Sequence, residues 1–214
     1  DPEEPDTLSA DGKYILLSEQ NSRSYQIYDI TKPSKPVWQW KTNEDGHYTT
    51  FNNPSDVKPV YNGTCIMAVS SGGGAAIVRI KDKKVLFYAN PAGNPHSIEL
   101  LPNNRVVVAS STGNKLTVYN IDTTRNMKTP ATAVYTMPFD CGHNVVWDEG
   151  RKCLWSAGEN YLEKIAYDEA SGKLTSVDKY KFPEGNHEAH DFIKIYGKDL
   201  YHMSTVENTF IFDP

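Results

Sequence analysis

Pro95-His96-Ser97-Ile98-Glu99-Leu100 is followed by Val106-Val107-Val108-Ala109-Ser110 and then by Leu116-Thr117-Val118-Tyr119-Asn120. The opening segment returns as Gly142-His143-Asn144-Val145-Val146-Trp147 and again as Ala189-His190-Asp191-Phe192-Ile193-Lys194, so the histidines stand 47 positions apart (96 to 143 to 190). A fixed period of this size marks a repeat architecture, in which one position of successive repeats forms a row or ring in space. The paired runs behind each histidine also recur. Ile15–Ser18 leads to Tyr25–Asp29, Ile66–Ser70 to Ala76–Ile80, Cys153–Ser156 to Leu162–Asp168, and Leu200–Ser204 to Thr209–Asp213. With the copy at Val106–Asn120, this gives five versions of one hairpin, turning on Gly, Asn and Ser as tight reversals require.

A further strand precedes most hairpins and another follows. In the third copy the four strands are read at about 96–101, 105–111, 115–121 and 132–138. Short strands bounded by turn residues, with no long 3.6-residue periodicity, point to an all-β fold. Four antiparallel strands repeating every 40 to 47 residues or so is the pattern of a β-propeller blade. The expected blades are 13–42, 55–90, 96–138, 143–182 and 190–214, behind an acidic, Pro-rich N-terminal segment over 1–12. The strand entered at each histidine is read as the innermost. The first copy shows no obvious innermost strand, and the fifth stops after its third. The expectation is therefore a ring of more than five blades, of which about five are visible, with exposed apolar blade faces that favour self-association.

The chain has 214 residues with 22 Lys and Arg against 27 Asp and Glu, a formal charge of −5. That balance argues against a nucleic-acid partner or an anionic membrane surface. No apolar run reaches the roughly 20 residues a transmembrane helix needs. Three cysteines cannot all pair, and a hairpin turn at 149–152 sets Cys153 opposite about residue 148 rather than Cys141. Free, mostly buried thiols are expected.

Ser70-Ser71-Gly72-Gly73-Gly74, the run Asn94–Pro102 and Gly142–Asp148 resemble an uncharacterised family of secreted bacterial β-propeller proteins. The resemblance covers nearly the whole chain. It implies about six blades and an exported protein, periplasmic or at the cell surface, often lipid-anchored. It implies no established activity. A more distant likeness, of arrangement only, is to propeller enzymes acting on sulfated or uronic-acid substrates, which place histidines on innermost strands.

His96, His143 and His190 would face the central channel near one mouth. Ser55-Asp56 stands at the matching place in the second blade, Asp56 offering a carboxylate, with Asp191 and Glu188 beside the last histidine. These six residues are the ligand-binding candidates. Three imidazoles with an open position could hold Mn or Zn. The competing reading makes each histidine a hydrogen-bonding lock between blades. His47 and His202 read as ordinary loop or strand residues, and His187-Glu188 lacks the helical spacing of a zinc protease. Ser70–Gly74 reads as a turn of close backbone approach rather than a phosphate loop. Of Trp38 and Trp40, one is read as core and the other as exposed and able to stack on a sugar. Lys58, Arg79 and Arg105 read as surface charges, with recognition of an acidic substrate as the alternative. Three functions follow: a binder of a small molecule or glycan at the axial mouth, a histidine- or metal-dependent lyase or transferase on acidic or sulfated saccharides, or a protein-interaction scaffold.

Overall fold

The computed structural model describes residues 8–41 and 49–214. They form only strands, turns and loops, arranged as a five-bladed β-propeller. Blade one is β1 (Tyr14–Glu19), β2 (Ser24–Asp29) and β3 (Trp38–Lys41). Blade two is β4 (Pro54–Val60), β5 (Cys65–Ser70), β6 (Ala75–Arg79) and β7 (Val85–Ala89). Blade three is β8 (Pro95–Leu101), β9 (Arg105–Ser110), β10 (Lys115–Asn120) and β11 (Ala133–Pro138). Blade four is β12 (Asn144–Asp148), β13 (Cys153–Ala157), β14 (Tyr161–Tyr167) and β15 (Leu174–Lys181). Blade five is β16 (Ala189–Lys194), β17 (Tyr201–Thr205) and β18 (Thr209–Phe212). Every paired neighbour is antiparallel and the strands of each sheet follow chain order. The described residues thus give five blades, not the six that the family resemblance implied. Of the N-terminal segment, 1–7 and also His47 lie outside the described residues, while Leu8 packs against the first core.

The second strand of a middle blade is apolar along its whole length because both faces are covered. On β5, Ile66 and Ala68 enter a core shared with blade one, and Met67 and Val69 enter the next core, shared with blade three. On β9, Val106 and Val108 face blade two while Val107 and Ala109 face blade four. Side chains two apart share a face, so each sheet lies between two cores. The end blades show the converse. Leu16 packs inward on β1 while Ile15 and Leu17 are exposed, and on β18 Phe210 and Phe212 pack while Ile211 is exposed.

The same spacing corrects the reading of the paired tryptophans. Trp38 and Trp40, two apart, lie on one face and are both buried, Trp40 stacked on Tyr25 at 5.7 Å between centroids. Neither is an exposed sugar platform. Ser70–Gly74 is the β5–β6 turn expected. A Cβ on Gly74 would lie 2.4 Å from the buried ring of Phe51, so the backbone passes there only as glycine. All three cysteines are free, Cys65 and Cys153 buried, and Cys153 pairs opposite Asp148 as the turn required.

Each blade interface carries a polar tie. Tyr25 and Trp38 donate to the carbonyls of Val69 and Ile80 across the first, and Ser55 Oγ donates to Pro95 O across the second. At the third, Arg105 on β9 donates to Tyr167 Oη and to the carbonyls of Glu169 and Ala170. It is 7% exposed, so it is a blade joint and not the surface charge expected. Arg79 is a surface charge, paired with Asp82 in its own hairpin. At the fourth interface, buried Asp148 accepts from Trp155 Nε1, Tyr201 Oη and Arg151. Burial alone would raise its pKa, but these donors more than offset that and hold it at about 2.

Candidate functional site

The innermost strands β4, β8, β12 and β16 wall an axial cavity of about 640 Å³. No β1 residue lines it. The axis-facing side chains His190 and Asp191 of β16 are exposed, so the cavity is open on that flank.

Three of these strands begin with a β-bulge at the same place. The register slips between Pro54 and Asp56, between Pro95 and Ser97, and between Ala189 and Asp191. The bulged residues are Ser55, His96 and His190. On blade four, His143 N and Asn144 both pair with Ala157, which gives the same offset. A bulge leaves its extra residue unpaired and re-aims its side chain. This is how the 47-residue repeat becomes a cluster. The rings of His96 and His143 are 4.6 Å apart between centroids and inclined at 23°, and His190 meets His143 edge-on at 5.5 Å. Of the pair Ser55-Asp56, the register places Ser55 level with the histidines.

Asp56 falls one rung lower, in line with Ser97, Asn144 and Asp191. Ser97 Oγ donates to Asp56 Oδ2 at 2.9 Å, and Asn144 Nδ2 reaches the carbonyl of His190 at 3.5 Å. Asn144 is 6% exposed and its Oδ1 has no partner. Two residues further along, Lys58 crosses the axis. Its Nζ donates to Val145 O at 2.8 Å, to Ser97 Oγ at 3.3 Å and to Glu99 Oε2 at 3.4 Å, with Asp56 Oδ2 at 3.8 Å. Burial pulls the Lys58 pKa down, but the carboxylates of Glu99 and Asp56 outweigh it and the net shift is upward. Lys58 is therefore a cavity cation rather than a solvated one, and it ties blade two to blades three and four.

Electrostatics differ between the rungs. Burial, reinforced by the rings of His143 and His190, pulls His96 down to about 4. Its imidazole is neutral at pH 7. Burial raises the Asp191 carboxyl, and the like charge of Asp56 adds to that.

Two residues at the mouth come from loops. His143 Nδ1 lies 2.9 Å from the carbonyl of Cys141, and Nε2 is 3.9 Å from Glu188 Oε1. Cys141 and Glu188 both have positive φ, 47° and 49°, uncommon for residues with a side chain. Burial and a hydrogen bond to Glu159 push the Cys141 thiol up to about 11. Sequence reasoning proposed Glu188 but passed over Cys141, which it read only as a thiol without a disulfide partner. Cys141-Gly142-His143 is local enough to have suggested a shared site. His187 binds Glu207 at 2.6 Å, and His202 is an exposed strand residue.

The fold and site thus define a five-bladed propeller with a polar axial cavity and a histidine cluster at one mouth. Residues 4–213 match the family of unknown function DUF6528, and the chain belongs to that family. No curated protein matches it. No helix among the described residues is long and apolar enough to cross a membrane.

Proposed function

We propose that the protein binds a small polar molecule, a saccharide by preference, in the axial cavity. The observation that carries this is the convergence of Asp56, Lys58, His96, Ser97, Asn144, His190 and Asp191 on one space of about 640 Å³. Pockets of roughly 300–1,000 Å³ with a few convergent polar groups are the usual form of small-ligand sites. The lining mixes donors such as Lys58 and Ser97 with acceptors such as Asp56 and Asp191, which suits a ligand rich in hydroxyls. The exported setting that the family resemblance implied, periplasm or cell surface, would supply such a ligand.

Isothermal titration of neutral and uronic oligosaccharides, into wild type and Asp191→Asn, tests the reading. A ligand whose affinity falls about tenfold or more in Asp191→Asn is expected, since a hydrogen bond to a charged group contributes about 1.5–3 kcal/mol. No titrating saccharide, or equal affinity in the variant, would sink it.

The second reading, a lyase or transferase on acidic saccharides, is favoured by Lys58 as a cation lining the cavity, although Glu99 and Asp56 already pair with it. It is disfavoured by His96, whose pKa of about 4 makes a weak proton acceptor near neutrality. Self-association draws support from exposed Ile15 and Leu17 on blade one and from Ile193 and Ile211 on blade five. Sedimentation of wild type beside Leu17→Lys and Ile211→Lys reads it out.

A further inference from the structure

At the cavity mouth three different donor types meet. Cys141 Sγ, a ring nitrogen of His143 and a carboxylate oxygen of Glu188 lie within 4.8 Å of one another, the one such trio among the described residues. The backbone holds two of them from different connections. Cys141, between β11 and β12, is pinned by its N–H on Asn114 Oδ1 at 2.9 Å. Glu188, between β15 and β16, is pinned by its N–H on Glu159 O and by its carbonyl, which accepts from Val206 N.

His143 supplies the second, independent observation. It is 5% exposed, and its Nδ1 lies 2.9 Å from the Cys141 carbonyl, which can only accept, with Cys141 Sγ at 3.7 Å. A proton on Nδ1 leaves Nε2 as the nitrogen that can take a metal ion. Nε2 lies 3.9 Å from Glu188 Oε1. A metal-bound imidazole has this arrangement, its other N–H fixed on a backbone carbonyl.

We propose that Cys141, His143 and Glu188 bind one divalent cation of the zinc class. Thiolate, imidazole and carboxylate together suit zinc or cobalt better than magnesium or calcium, which take oxygen ligands. Bonds of about 2.0–2.3 Å to a tetrahedral ion place ligand atoms roughly 3.3–3.8 Å apart. The present separations extend up to 4.8 Å, and the Glu188 side chain, 38% exposed, can move in to close the gap. His96 and His190, in ring contact with His143, are within reach as a fourth donor. The trio differs from the three-histidine set read from sequence, and the proposal does not depend on the saccharide reading.

Cobalt(II) titrated into chelator-treated protein, followed by absorption and then by zinc competition, tests it. One equivalent should bind with a thiolate-to-cobalt charge-transfer band in the near ultraviolet. Cys141→Ser should abolish that band. Glu188→Gln should retain the band and weaken affinity about tenfold or more, the usual scale for ligand-shell losses. Circular dichroism and melting temperature establish that each variant is folded. Should Cys141→Ser fail to fold, the wild-type band and Glu188→Gln decide the matter alone. Absence of the band in wild type overturns the proposal. So does unchanged affinity in Glu188→Gln, or a site lost only in His96→Gln and His190→Gln. Saccharide binding measured on the metal-free protein decides the other reading separately.

Discussion

His96 shows what position does to a side chain. In the unfolded chain its pKa is near 6.5, and in the folded protein it is about 4. The folded state thus binds the proton less well than the unfolded state. Linkage makes stability rise with pH wherever the unfolded state holds more protons. The contribution of His96 is therefore complete above about pH 6.5 and is lost as the pH falls toward 4. His96→Gln removes the titrating group and leaves a polar side chain at the bulge. The fall in melting temperature between pH 7 and pH 4.5 should be smaller in the variant than in wild type. Equal falls would mean that the ring is solvated in the folded state.

At the level of strands and turns, legibility followed locality. The hairpins at 66–80, 106–120 and 153–168 were readable because an apolar run, a turn and a second run are contiguous in sequence. The convergence of His96, His143 and His190 was readable because a repeat maps one position onto a ring. The bulges were not, since they are a property of pairing between strands. Without them the sequence does not tell which of Ser55 and Asp56 stands level with the histidines and which falls one rung lower. Nor could spacing alone tell that Arg105 points into blade four while Arg79 stays in its own hairpin. Glu188 was legible beside the last histidine, whereas Cys141 depends on left-handed backbone at a non-glycine residue, which sequence does not announce. Glycine does announce itself, and Gly74 gives a prediction at this scale. Its Cβ would stand 2.4 Å from Phe51, a fully buried ring that also touches Trp40 and Tyr25. Gly74→Ala must displace that ring or the β5–β6 turn. Overpacking of this kind costs about 1–3 kcal/mol. Urea unfolding should show the loss, and Gly150→Ala serves as a contrast, because its φ is not left-handed and a Cβ there meets only Asp148 Oδ1 at 3.5 Å, an ordinary contact.

Across the whole molecule, the blades are held by two kinds of contact. Apolar cores join each sheet to the next along its length, and repeat proteins built that way are stabilised mainly by neighbours. The axial rung adds something the cores cannot, since Lys58 on blade two bonds directly to Val145 on blade four past Ser97 and Glu99 on blade three. Replacing it by methionine keeps the stem's packing but leaves Asp56 and Glu99 facing each other without a counter-charge. A fully buried pair broken this way costs about 3–5 kcal/mol. The Lys58 side chain is 26% exposed, so screening reduces the expected loss to about 2 kcal/mol. Removing a carboxylate as well should restore part of it. Lys58→Met/Glu99→Gln is therefore expected to be less destabilised than the sum of its single variants, since groups in one network do not add. Additive losses in a urea double-mutant cycle would show that the amine is solvated and that the cores alone hold the ring. A positive coupling would mean that the charged rung lining the cavity also sets the spacing of blades two to four, so that a ligand displacing Lys58 from Glu99 would act on three blades at once.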